Sequence, residues 1–99
     1  MSSTDFTDAN LTSSNLRSST LIDTKFTGAK LSSSNFRYAS LKNTDFTNAT
    51  IREVDFRETV SRGFTEKQLK STKSYQEKDL TGIKLDSNDL SGWDFSGQD

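Results

Sequence analysis

The chain of 99 residues contains no cysteine, no histidine and no proline. Without cysteine there is no disulfide framework and no thiol chemistry, and without histidine as well a zinc site has almost no ligands. The formal net charge of -1 gives no overall bias toward nucleic acid or an anionic membrane. Because no basic leader and no long apolar run is present, we expect no signal peptide, no membrane span and a cytoplasmic location.

Hydrophobic residues are also scarce, at 29% of the chain, which is typical of disordered proteins that bury too little apolar surface to offset ordering entropy. The lack of proline and an aromatic content of 10% argue against disorder. Large apolar residues instead recur at every fifth position, a period that fits neither an α-helix nor a β-strand. The eleven consecutive sites are Phe6, Leu11, Leu16, Leu21, Phe26, Leu31, Phe36, Leu41, Phe46, Ile51 and Phe56.

A second period of twenty residues lies above the first, since the stretch Thr4 to Asp23 aligns without gaps on Thr24 to Asn43. Twenty residues make four pentapeptides, so the simplest geometry is a square coil in which residue n lies over residue n-20. Each coil would bury its apolar face only on its neighbours, as solenoids do. The interior columns are chemically coherent, and this predicts a folded solenoid. They are Phe6, Phe26 and Phe46; Leu11, Leu31 and Ile51; and Leu16, Phe36 and Phe56.

The repeating pattern, seen as "ANLTS", "AKLSS", "SNFRY", "ASLKN" and "ATIRE", resembles the pentapeptide-repeat proteins. The resemblance covers Thr4 to Phe56 and again Asp79 to Gly97. It implies an all-β fold, a right-handed quadrilateral β-helix, here with about four coils. In that family the central Leu or Phe and the small residue two positions earlier point inward.

The five-residue period breaks after Phe56, because Ser61 occupies the next central position. Thr65 followed by Gln68 predicts a capping box and a short helix at Glu66 to Ser71, with another turn near Tyr75. We therefore expect one domain over residues 1–99. It comprises a first repeat block (4–58), a helical insertion around 65–76 within 59–78, and a final coil (79–97). The expected buried anchors of the insertion are Phe64, Leu69 and Tyr75.

The period resumes at Leu80, and "KDLTGIKLDSNDLSGWDFSG" predicts one more full coil. Trp93 is too large for an inward position beneath another coil, so in a last coil it would fold over the open end. Uncapped coil ends expose unpaired backbone groups and apolar side chains, which promote association. Trp93 and Phe95 are thus candidates for an end cap or oligomer contact, and we expect end-to-end homodimers through the C-terminal coil. A monomeric mass by light scattering at high concentration would count against them. The alternative is that the chain is a fragment of a longer solenoid.

The stacking also places Arg17, Arg37 and Arg57 in a vertical row, about 4.8 Å apart. Two interpretations remain open: a solvated face with the guanidiniums fanned apart, or a basic stripe that binds carboxylate or phosphate groups of a partner. No pattern typical of a catalytic, cofactor or metal site is present, so we expect no enzyme activity and no cofactor.

The favoured hypothesis is a structural or protein-interaction module whose partner is a protein of unknown identity. The alternative comes from the resemblance, because some pentapeptide-repeat proteins mimic DNA and modulate a type II topoisomerase (gyrase). That role needs a long acidic rod. The near-neutral charge and the Arg row make it less favoured, and nucleic acid is an unlikely partner for the same reason.

Overall fold

The repeat folds as a series of tight turns, one in every pentapeptide. The computed structural model describes residues 3–86 and 88–95. Within the first turns, the amide of Ala9 donates to the carbonyl of Phe6 at 2.9 Å, and that of Ser14 to Leu11 at 3.0 Å. The third residue of each turn is left-handed, and such residues recur every fifth position from Ser3 to Glu58. This is the pattern of a type II turn, and short polar residues such as Asp and Asn tolerate it well.

Successive groups of four turns stack on one another in register. Asp5 and Lys25 form a parallel bridge, in which Phe6 donates its amide to the carbonyl of Lys25 at 2.7 Å and Lys25 donates to that of Thr4 at 2.9 Å. Seven bridges between described residues join positions twenty apart, as the period predicts. Each bridge is isolated, so the described residues contain no extended strand, in contrast to the all-β expectation. The turn occupies four of every five residues, which leaves one residue per side for pairing.

The interior is built from stacked phenylalanine rings. Phe26 lies between Phe6 and Phe46, with ring centroids 5.3 and 5.4 Å apart and rings within 9° of parallel. The second ladder, through Phe36 and Phe56, stacks at 5.5 Å and meets the first ladder edge-to-face. Both arrangements suit the aromatic quadrupole. The two predicted ladders that contain phenylalanine are therefore confirmed, and Leu31 and Ile51 of the third are fully buried. One large apolar residue in five suffices because a central ring such as Phe26 packs against rings above, below and beside it.

Small polar side chains on the inner face are buried without loss of hydrogen bonding. The hydroxyl of Ser34 donates to the carbonyl of Leu11 at 2.8 Å, and that of Thr44 to Leu21 at 2.7 Å. Both residues are at most 2% exposed, so an unpaired hydroxyl here would be costly. Ser and Thr can therefore alternate with Ala at the small inward position.

The uninterrupted series of pentapeptide turns ends at Glu58. A short 3-10 helix, Val60–Arg62, follows, and Gly63 after it is left-handed with φ of 105°. A Cβ at this position would lie 2.7 Å from the backbone nitrogen of Lys42, so only glycine lets the chain pass here. Phe64 then turns inward and stacks on Phe56, with centroids 4.5 Å apart.

Two short helices follow, α1 (Glu66–Ser71) and α2 (Lys73–Gln76). The predicted bounds of α1 are confirmed, and so is its capping box: the Gln68 amide donates to the Thr65 hydroxyl, while the Thr65 amide donates to Gln68 Oε1. Phe64 and Leu69 are each 1% exposed, as expected of anchors, whereas Tyr75 is only half-buried.

The helices cover the open edge of the third coil. The Asn48 amide donates to the carbonyl of Ser71 at 2.9 Å, and Lys73 donates to that of Ala49 at 2.9 Å. The Ile51 amide donates to the hydroxyl of Ser74, and Gln68 Nε2 donates to the carbonyl of Thr44. The insertion thus supplies partners to backbone groups that a fourth coil would otherwise pair.

The segment after the helices rejoins the stack for a short distance. Asp55 bridges Lys84, twenty-nine positions later, so the insertion adds nine residues to the regular spacing. On the next side the Asn88 side chain replaces a strand, since its Oδ1 accepts from the amides of Thr59 and Val60 and its Nδ2 donates to the Phe56 carbonyl. Asp55–Lys84 is the last bridge among the described residues. The helices bond to the third-coil backbone at Asn48 and Ile51, where a fourth coil would otherwise pair. The final coil predicted over 79–97 extends beyond the described residues and stays a prediction.

Removing one central ring should test the ladder. Phe46→Ala should lower the free energy of unfolding by about 3–5 kcal/mol, because the ring is fully buried and contacts rings on several sides. Phe6→Ala is the matched control, and it should cost clearly less because Phe6 is only half-buried. Urea unfolding followed by circular dichroism gives both values. Equal losses would mean that the rings do not act as a packed column.

A second substitution tests whether the side chain of Gln68 helps to bind the insertion to the edge of the third coil. Gln68→Met keeps the volume but removes the bonds from Gln68 Nε2 to the carbonyls of Leu41 and Thr44, at 2.7 and 2.9 Å, and its cap. We expect a loss of about 1–3 kcal/mol in unfolding free energy, since the carbonyls stay partly buried. The control Lys67→Met alters an exposed side chain next to Gln68 and should change the unfolding free energy by less than about 0.5 kcal/mol. If Gln68→Met leaves the unfolding free energy unchanged, the Gln68 side chain does not stabilise the contact between the insertion and the coil.

Candidate interaction surface

The three arginines of the predicted row occupy equivalent places in three coils. Each backbone amide donates to an Asx side chain two positions earlier: Arg17 to Asn15 at 3.1 Å, Arg37 to Asn35 at 2.9 Å, and Arg57 to Asp55 at 3.0 Å. Such Asx turns hold the chain as it enters the corner. They explain why the repeat carries Asp or Asn before its central apolar residue.

The three side chains do not behave alike. Arg57 makes a bidentate pair with Asp55, with Nε to Oδ1 at 2.9 Å and Nη2 to Oδ2 at 2.7 Å. The guanidinium carbons of Arg17 and Arg37 lie 5.2 and 5.0 Å from the ring centroid of Tyr38. The structure therefore brings two of the three predicted residues together and ties the third to a carboxylate.

Two further residues complete this surface and were missed by the sequence analysis. Tyr38 is the shared ring, and Arg62 approaches it with its guanidinium carbon 5.8 Å from the ring centroid. We call Arg17, Arg37, Arg62 and Tyr38 the Arg–Tyr cluster. Tyr38 could have been noticed as the one aromatic residue among the corner positions of the repeat. Arg62 lies beyond the regular repeat, where the twenty-residue spacing no longer predicts which residues are neighbours.

Tyr38 occupies a left-handed corner, with φ of 64°. For a residue other than glycine this conformation costs about 1–2 kcal/mol. A cation–π contact contributes about 0.5–1 kcal/mol at an exposed site, so three together can offset that cost. The corner directs the ring toward the guanidiniums of its own coil, the coil below and the 3-10 helix.

The cluster carries an excess of positive charge. Glu58 Oε2 lies 3.8 Å from Arg37 Nε, and both atoms are buried without a hydrogen-bond partner among the described residues. Among the described residues, no carboxylate oxygen lies within 4.0 Å of a side-chain nitrogen of Arg17 or Arg62. Both of these arginines are exposed, while Tyr38 is half-buried. The result is a local cationic face on a chain whose net charge is -1.

Trp93 and Phe95 lie elsewhere, at the end of the aromatic stack. The Trp93 ring is 6.0 Å from Phe64 and 6.4 Å from Phe95, centroid to centroid. Between them, Asp94 is held by α1 and α2, because its amide donates to Glu66 Oε2 and its carbonyl accepts from the Tyr75 hydroxyl, each at 2.6 Å. Trp93 thus covers Phe64, and a role of these rings in oligomer contact stays a prediction.

A cleft of about 260 Å³ lies between α1 and the third coil. Thr44, Asp45, Phe46, Thr47, Lys67, Gln68 and Ser71 line it. Within the described ranges no group of three or more acidic side chains is arranged to hold a metal ion. No helix in those ranges is long and apolar enough to cross a membrane.

Comparison with known families matches residues 1–32 and 24–60 to pentapeptide repeats, with eight copies. The chain belongs to the pentapeptide-repeat family. The match covers more than half of the sequence and confirms the resemblance seen in the repeating motifs. A search of curated proteins finds no match.

In this pentapeptide-repeat chain, the hydrogen bonds of the Asx turns also lower the pKa values of several aspartates. Burial alone would raise the pKa of Asp55, but the hydrogen bonds and charge of Arg57 outweigh it and hold that pKa below its ordinary value of 3.8. Hydrogen bonds from Thr7 and Thr47 likewise lower the pKa of Asp5 and of Asp45. Each of these groups therefore stabilises the fold when ionised.

The lowered pKa of Asp55 predicts that the unfolding free energy falls in acid. Because the folded pKa is depressed, the unfolded chain takes up the proton first, and this contribution is lost as pH falls below about 4. Asp55→Asn and Arg57→Gln should each lower the unfolding free energy at neutral pH and flatten its fall between about pH 5 and pH 2. Urea unfolding at a series of pH values measures this. Curves parallel to that of the unaltered chain would contradict the pairing, and any remaining slope would come from the other depressed carboxyls.

Proposed function

We propose that this chain is a non-enzymatic protein-interaction module that presents the Arg–Tyr cluster to a partner. The convergence of Arg17, Arg37 and Arg62 on Tyr38 carries the proposal. Three cations around one ring repel one another, and among the described residues only Arg37 has a carboxylate, that of Glu58, within 4.0 Å. A partner with acidic groups would relieve this repulsion.

We also propose that the coil is the right-handed quadrilateral β-helix of its family. Support comes from the turn in every pentapeptide and from the pairing of positions twenty apart. Such a coil is a rigid support, because each level is hydrogen-bonded to the next and the rings inside are close-packed. Side chains on its corners are then held in place before a partner arrives, which lowers the entropic cost of binding.

Arginine suits this role better than lysine would. Its planar guanidinium donates two parallel hydrogen bonds to one carboxylate or phosphate, and it stacks on aromatic rings at the same time. Arg and Tyr are also the residue types enriched where binding energy concentrates at protein interfaces. The Arg–Tyr cluster combines both on one face.

Charge reversal tests the proposal. Arg17→Glu with Arg62→Glu alters the two exposed arginines and leaves the Arg57–Asp55 and Arg37–Glu58 pairs in place. A protein retained from host lysate by the intact chain should be lost with this variant. The matched control is Lys67→Glu with Lys73→Glu, two exposed lysines of the helical insertion, and it should retain the partner.

The other outcomes of this experiment are also informative. Equal retention by all three chains would mean that the Arg–Tyr cluster is only solvated surface. Equal retention of a type II topoisomerase would instead favour the alternative function, DNA mimicry toward gyrase. That alternative needs an acidic face, and the excess charge described above has the opposite sign.

A further inference from the structure

The Arg–Tyr cluster has a charge and shape that narrow the chemistry of its ligand. We propose that Arg17, Arg62 and Tyr38 form a binding site for a dianionic phosphate monoester, such as a phosphorylated side chain of the partner. This inference rests on the proposed interaction function and names the group that the surface recognises.

The charge balance around Tyr38 supports a dianion. Arg57 is neutralised by Asp55 and Arg37 is balanced by Glu58, which leaves Arg17 and Arg62 as two positive charges without a carboxylate in contact in the described part of the chain. Asp86 reduces this excess only from a distance, through its attraction for Arg57. A phosphate monoester carries a charge of about -1.5 to -2 at neutral pH, which matches the two free guanidiniums, whereas one carboxylate would neutralise only one.

The geometry limits the distance between these two charges. Their guanidinium carbons lie 5.2 and 5.8 Å from the same ring centroid, so they are separated by no more than about 11 Å. That upper limit exceeds the Debye length of about 8 Å in physiological salt, so their repulsion persists only if they are closer than this limit. Both side chains are exposed and come from different parts of the chain, a regular turn and the 3-10 helix, so a bridging phosphate would be approached from two sides.

The Tyr38 ring gives the site a fixed centre. In the corresponding corners of the coils below and above, the chain has Ser18 and Glu58, which present no ring to a cation. The ring holds the guanidiniums near one another despite their repulsion, and its hydroxyl adds a neutral donor. A phosphate has three acceptor oxygens, and two guanidiniums with one hydroxyl can satisfy them.

Titration with phenyl phosphate tests the site without knowledge of the partner. The experiment follows the Tyr38 amide and the arginine side-chain Nε–H signals of the ¹⁵N-labelled chain by NMR, at constant ionic strength and about pH 7.5. We expect saturable shifts confined to the cluster. Arg17→Gln with Arg62→Gln should weaken the association roughly tenfold or more, since charge-assisted hydrogen bonds are lost. Lys67→Gln with Lys73→Gln is the control and should leave it unchanged.

Two further arms separate the phosphate from other anions. Near pH 5 phenyl phosphate carries one charge instead of two, so binding should weaken severalfold. Benzoate, a carboxylate of similar shape, should bind more weakly than phenyl phosphate at pH 7.5. Equal binding of benzoate, shifts that do not saturate, or shifts that persist in the Arg17→Gln and Arg62→Gln variant would each overturn the proposal. If phenyl phosphate fails while charge reversal still abolishes partner capture, the interaction function stands and only the phosphate assignment falls.

Discussion

Hydrogen bonds between backbone groups nineteen and twenty-one positions apart are the constraint on which the rest of this structure depends. They stack each coil on the one before, as the pairs around Asp5 and Lys25 show. Because a turn fills most of each pentapeptide, only one residue per side takes part in a bridge. Stability therefore cannot come from long strands, and it depends on the register of the stack and on the rings inside it.

The same constraint creates a problem at every open edge. A coil that ends leaves backbone donors and acceptors without partners, and burying them unpaired would be costly. On the third coil the chain solves this with side chains and helices in place of another regular coil. Gln68 and Asn88 supply amide groups to the coil backbone, and Ser71 and Lys73 contribute their own backbone groups. The insertion is thus an integral part of the stack.

Stacking also decides the chemistry of the surface, since it places equivalent residues of successive coils close together. A row of three arginines is unfavourable unless each positive charge has a favourable contact that offsets the repulsion. Arg57 pairs with the carboxylate of Asp55, and Arg37 lies near that of Glu58. Arg17 depends on the ring of Tyr38, which it shares with Arg37 and Arg62. The result is the cationic face at which we propose that a partner binds.

The sequence by itself determined the register, the interior ladders and the position of α1. These depend on local turn chemistry, on capping and on a strict period, all of which act between residues at known separations. Only the tertiary structure decided that Arg62 joins Arg17 at Tyr38, that Arg57 is withdrawn from the row, and that Asn88 takes the place of a strand. Of these contacts, the one made by Asn88 follows from the nine-residue offset introduced by the insertion, and Arg62 lies in the 3-10 helix where the five-residue period has already ended. Once the period breaks, spacing along the chain no longer predicts which residues meet, because the path of the insertion sets their separation in space.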